Sequence, residues 1–185
     1  MIPKKLIRCF IALEMSREAI ENLEEVQKLI GKQNLFLGKF TEPENLHLTL
    51  KFLGEIEEEK VEEVRNVLKN IKLDNFKIKL GCVGVFSKKA FKIVWIKLEG
   101  KSIWELQEKI DLELEKIGFK KEERFMSHVT LARIKKVYNK DNFLKYIKNL
   151  KIKETSFEIK EFVFKKSELK PEGPVYTDLE RFNLI

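Results

Sequence analysis

One order of elements runs through this chain twice, and that doubling limits the folds open to it. Residues 5–14, "KLIRCFIALE", are rich in β-branched and aromatic types and read as a strand. Ser16 then caps a helix over 17–32, in which Ile20, Leu23, Val26 and Ile30 recur at helical spacing and Gly31 marks the end. The turn "TEPEN" leads to a strand over 46–53, followed by a helix over 57–71 with acidic residues in its first turn and a strand over 75–86. The order then recurs as a strand at 91–99, a helix at 102–118 closed by Gly118, a strand at 128–134, a helix at 140–150 and a strand at 156–169. A last extended stretch covers 173–185. The pattern predicts an α/β (α+β) protein, 1–185 as a single two-lobed domain, with an approximate internal repeat of 1–88 and 89–185. No flexible linker divides it, so the two pseudo-symmetric lobes are expected to pack together.

The repeat is weak in sequence except at two places, "LHLTLKFLGE" and "SHVTLARI". They hold the only two histidines of 185 residues, His47 and His128, each followed by threonine two positions on. Threonine occurs five times in the chain, so this coincidence has odds of about one in a thousand. Side chains alternate across a strand. His47, Thr49, Lys51 and Leu53 are therefore expected on one face, with Leu46, Leu48, Leu50 and Phe52 turned to the core. The same parity pairs His128 with Thr130. A dyad between the halves would line a groove with two imidazoles and two hydroxyls. Imidazole titrates near neutral pH, so one ring can act as base and the other as acid on a phosphoester, while the hydroxyls of Thr49 and Thr130 hold the phosphate. Lys51 has the parity for the same groove. Zinc fits poorly, since it takes three or four ligands and neither motif has a cysteine pair or carboxylate beside it.

The chain has 37 basic and 30 acidic residues, net +7, which suits a polyanionic partner such as nucleic acid but equally suits plain solubility. Cys9 and Cys82 stand singly in apolar runs and read as buried free thiols. No stretch approaches the 18 apolar residues of a membrane span. The N-terminal run is short, broken by Arg8 and without a small-residue cleavage site, so it reads as a strand rather than a signal peptide. A cytoplasmic location without membrane partners is expected.

Together, "RCFIALEM", "PENLHLTLKFLGE", "SHVTLARI" and "LKPEGPVYTDL" resemble the RNA 2′,3′-cyclic phosphodiesterases, also called 2′-5′ RNA ligases, of the two-histidine phosphoesterase superfamily. These stretches span nearly the whole chain in the family's order. Where the family often has proline before the second histidine, this chain has Ser127. The resemblance implies antiparallel sheets facing across a central cleft, helices on the outer faces, and chemistry that needs no metal or other cofactor. It implies opening of a terminal RNA 2′,3′-cyclic phosphate to a 2′-phosphate, and ATP-independent joining of RNA through a 2′-5′ linkage. RNA carrying either group is the expected partner of a monomer.

Within that reading His128 is assigned as base and His47 as acid, although the symmetric motifs leave the reverse open. Arg133 matches an arginine that the family sets against the phosphate. Alternation places it on the wrong face unless the strand bulges at Ala132. Phe10 and Tyr176, in family-matching segments, are candidate platforms for RNA bases, and Arg8 shares the strand of Phe10. Two other readings remain: a non-catalytic RNA-binding module, and a two-histidine esterase for a small cyclic nucleotide or ADP-ribose cyclic phosphate.

Overall fold

The computed structural model describes residues 5–87 and 91–185, so the expected repeat boundary at 88/89 lies outside the described residues. The elements are β1 (Leu6–Glu14), α1 (Arg17–Lys32), β2 (Phe36–Phe40), β3 (His47–Glu57), α2 (Glu58–Leu68), β4 (Phe76–Ser87) and β5 (Phe91–Glu99). Then come α3 (Lys101–Glu115), β6 (His128–Val137), α4 (Lys140–Asn149), β7 (Ser156–Ile159), β8 (Glu161–Lys170) and β9 (Gly173–Asn183). The architecture is the expected α/β one, four helices with antiparallel strands, curled into a half-barrel.

The strands run β7-β4-β5-β6-β3-β1-β8-β9, with β2 attached to β6. β3 and β6, the two histidine strands, lie side by side at the middle and share one bridge, Leu48 with Val129. The two half-sheets are thus joined edge to edge at that seam. Outward from it the order is mirrored: β1 and then β8 on one side, β5 and then β4 on the other. Each half-sheet borrows its next strand from the other half of the chain, which locks the halves into one body. The helices cross in the same way, α1 packing on β6 and α3 on β3.

Three local details bear on how the strands are placed. Helix α1 fills the expected 17–32, with Gly31 inside its last turn, and the chain turns at Asn34, whose φ of 49° is the left-handed conformation that asparagine tolerates. The run 36–40 forms a strand that periodicity does not signal; it borrows its ladder from the edge of β6, and its Gly38 passes so close that an added Cβ would lie 2.3 Å from the Arg133 carbonyl oxygen. The stretch 156–169 is two strands, β7 pairing with β4 and β8 with β1, at opposite sides of the sheet. Cys9 is buried as expected, whereas Cys82 is exposed, and both thiols are free. Among the described residues no helix is long and apolar enough to cross a membrane.

Candidate active site

The Leu48–Val129 bridge sets the geometry of the site. Both residues are fully buried, so their neighbours on each strand point to the opposite face. His47 and Thr49 flank one, His128 and Thr130 the other, and all four line a single cleft of about 850 Å³. On a regular antiparallel ladder, positions diagonal across such a bridge lie roughly 7–8 Å apart. The two imidazoles therefore stand on one concave surface.

Both rings are held alike. His47 Nδ1 lies 2.7 Å from the Asn45 carbonyl oxygen, and His128 Nδ1 lies 2.7 Å from that of Met126. A carbonyl only accepts, so each Nδ1 carries the proton and each neutral ring presents a bare Nε2. Nε2 of His47 meets the Thr49 hydroxyl at 3.1 Å. Burial, the largest cause, pushes the His47 pKa from 6.5 down to about 4, with Lys165 and His128 adding to the fall while the Asn45 hydrogen bond and Glu14 oppose it. The His128 pKa is also lowered, by burial, against the hydrogen bond to Met126.

The structure brings Arg133 into this cleft. In β5–β6 the register slips between Val94 and Trp95, so Leu131 and Ala132 both turn inward and Arg133 returns to the histidine face. A buried helix residue supports the bulge: Gln27 Nε2 of α1 donates to the Leu131 carbonyl at 2.9 Å and to the Thr41 carbonyl at 2.8 Å. Strand β3 carries the same bulge one residue after Thr49, and the two strands share the burial sequence from His47 to Leu53 and from His128 to Ile134. This corrects two expectations. Lys51 touches the cleft wall but is 5% exposed, its ammonium held 2.6 Å from Asp111 of α3 and donating to the Lys120 carbonyl rather than open to the cleft. Phe52, expected in the core, is 64% exposed and occupies the position that Arg133 holds in the other strand. Strict alternation missed both, and the equal five-residue offsets of Phe52 and Arg133 from their histidines were the available signal.

Phe10 and Tyr176 wall the His47 side, with ring centroids 5.0 and 5.2 Å from the imidazole and 4.9 Å from each other. Phe10 is 2% exposed, which corrects its reading as an open platform: it supports His47 and Tyr176 from behind. Burial raises the pKa of the Tyr176 phenol, against the pull of Arg133 and Arg8. Arg8, Lys39 and Arg124 also line the cleft. Ser127 anchors the start of β6, buried and donating through Oγ to the Leu98 carbonyl at 2.9 Å.

The mirrored halves differ beside the histidines. Opposite His47 in the ladder stands Glu14, within a network in which Lys165 contacts Glu14 and Asp178 at 2.5 Å and Arg181 contacts Glu14 at 2.8 Å. Opposite His128 stands Lys97, and the ring of Phe86 meets its imidazole edge-on at 4.9 Å. Among the described residues no three His, Cys, Asp or Glu side chains converge as a metal set.

The family profile described as LigT like Phosphoesterase matches residues 13–95 and 97–176. A protein of Methanothermobacter thermautotrophicus named RNA 2′,3′-cyclic phosphodiesterase is 33% identical over 183 residues, covering 96% of this chain and 99% of that protein. One of the same name from Methanocaldococcus jannaschii is 33% identical, covering 92% of this chain and 96% of that protein. Among solved structures, TT0787 of Thermus thermophilus superposes with a TM-score of 0.82 at 27% identity, covering 96% of this chain and 97% of that one. The E. coli LigT structure complexed with 3′-AMP shares the fold at a TM-score of 0.79 and 22% identity, over 97% of this chain and 98% of that one. With the profile matched over most of its length and relatives a third identical from end to end, this chain belongs to the LigT-like phosphoesterase family.

Proposed function

We propose that this protein hydrolyses the 2′,3′-cyclic phosphate at RNA ends to a 2′-phosphate, with His47 and His128 as its acid–base pair and no metal. The observation that carries the reading is the matched anchoring of the two imidazoles, each with Nδ1 tied to a carbonyl two residues back, which leaves Nε2 as the unprotonated nitrogen of the neutral ring. The name shared by the full-length relatives supports the substrate class.

In the forward step, water attacks phosphorus and yields its proton to Nε2 of His128. The P–O3′ bond breaks, and O3′ takes the proton held on Nε2 of His47. The 2′ oxygen keeps the phosphate. Glu14, opposite His47, favours a proton on that ring once the substrate's anionic phosphate offsets Lys165. Lys97, opposite His128, suits a ring that starts neutral. Thr49 and Thr130 donate to the non-bridging oxygens, and Arg133 supplies a planar fork for the same charge. Tyr176 and the exposed Phe52 frame the space for the terminal base. A 5′-hydroxyl in the place of water would form a 2′-5′ linkage by the same proton transfers, with no need of ATP.

The test is incubation, with chelator present, of a short RNA ending in 2′,3′-cyclic phosphate beside a cyclic phosphate mononucleotide. Conversion of the RNA to a 2′-phosphate is the expected result. Turnover of the mononucleotide alone points to a small-molecule esterase, turnover of neither to a binding module, and loss of activity with chelator contradicts the metal-free chemistry.

A further inference from the structure

A second depression, of about 520 Å³, adjoins the cleft on the His128 side, lined by Lys97, Glu99, Gly100, Lys101 and Trp104. Two residues connect it to the site. Lys97 is the ladder partner of His128, and Phe125 lines the cleft while its ring meets that of Trp104 edge-on at 5.8 Å. Trp104 is 42% exposed, so its indole retains open surface. Glu99, the one acid here, is ion-paired with Lys79 at 3.3 Å. Lys97 and Lys101 have no carboxylate partner among the described residues. Basic side chains interleaved with open aromatic surface are what single-stranded nucleic acid uses: phosphates meet the ammonium groups and bases stack on the rings.

The in-line geometry says which strand this groove can serve. The leaving O3′ belongs to the ribose of the cyclic end and lies by His47, so that nucleoside occupies the side walled by Tyr176. The attacking oxygen enters by His128. A groove continuing past His128 therefore borders the nucleophile, which hydrolysis fills with water alone. We infer that the surface formed by Lys97, Lys101, Trp104 and Phe125 binds a second RNA strand, the one whose 5′-hydroxyl attacks the cyclic phosphate. It is a subsite for 2′-5′ joining and for the reverse cleavage. In joining, the 5′ oxygen bonds to phosphorus and its proton passes to His128, while O3′ departs with the proton of His47. Nothing else is consumed. The inference rests on the proposed phosphodiesterase reading and on His128 facing the nucleophile.

Trp104 is a surface residue outside the catalytic cleft, so the Trp104→Ala and Lys101→Gln proteins are expected to fold. Both are compared with wild type on two substrates: an RNA with a terminal 2′,3′-cyclic phosphate attacked by water, and a 2′-5′-linked RNA with several nucleotides beyond the linkage. Hydrolysis of the first is expected to be unchanged. Cleavage of the second, measured as kcat/KM, is expected to fall roughly five- to a hundredfold on loss of the indole, with Trp104→Phe restoring much of it. Equal losses on both substrates, or no loss on the second, overturn the inference. So does a wild-type protein that hydrolyses the first but leaves the second intact, and this result spares the phosphodiesterase reading. Failure of wild type on both overturns the two together.

Discussion

Two imidazoles in one small protein can share a motif and still differ in what surrounds them, and here the difference has measurable consequences. His47 titrates at about 4 in the fold against 6.5 when free, so the unfolded chain holds a proton there that the folded one does not. Its contribution, on the order of 3 kcal/mol, is complete above pH 6.5 and lost as pH falls from 6.5 through 4. Urea unfolding at pH 7.5 and pH 4.5 is expected to show a marked loss at the lower pH, reduced in His47→Ala; an equal loss in both proteins would place its origin elsewhere. The same depression shapes catalysis. An acid must be protonated, yet both rings favour the neutral form in the free cleft, and an anionic phosphate reverses that preference. The bell for kcat/KM, which reports the free enzyme, is therefore expected at lower pH than the bell for kcat. Coincident bells would show that the phosphate leaves the rings' protonation unaltered.

At the scale of elements, the paired bulges decide which side chains reach the substrate. At the β6 bulge the Leu131 carbonyl accepts from both Gln27 Nε2 and Thr41 N, each at 2.9 Å, and Gln27 also donates to the Thr41 carbonyl. Gln27→Ala removes two hydrogen bonds while Thr41 N still serves the Leu131 carbonyl, so it is expected to lose about 1–3 kcal/mol, and to raise KM because the bulge that aims Arg133 loses part of its support. Unchanged stability and KM would show that the bulge holds without it. Asp111, on the other crossing helix, accepts from Glu122 N at 2.8 Å while pairing with Lys51, and so ties down the segment that leads to Met126 and His128. Lys51→Met leaves that carboxylate buried and unpaired, at a cost of about 3–5 kcal/mol in unfolding free energy, read from the denaturation midpoint. A Lys51→Met protein of native stability would show that the buried pair with Asp111 adds nothing to folding. These two residues also mark where the sequence becomes hard to read. Apolar alternation exposes the histidines and threonines because the strand stays regular through them. One residue later a bulge supported by a distant helix reverses the parity, and alternation within either strand does not record it; only the matched offsets of Phe52 and Arg133 do.

For the whole molecule, the recurring elements were legible, and so was the union of two far-apart motifs at one site. The way they unite was not. Which strands exchange between halves, and that β3 and β6 meet edge to edge, depends on pairings between segments far apart in sequence. The seam is the feature with functional weight: one bridge, Leu48 with Val129, holds the two histidines at a fixed offset. If they act as a unit across a single phosphorus, their losses cannot multiply. The decisive measurement is kcat on cyclic-phosphate RNA for His47→Ala, His128→Ala and the double variant. Each single change should cost at least about a hundredfold, and the double variant should fall little below the worse single. Near-normal turnover by either single variant, or a double variant whose loss is the product of the two, would contradict a shared acid–base pair.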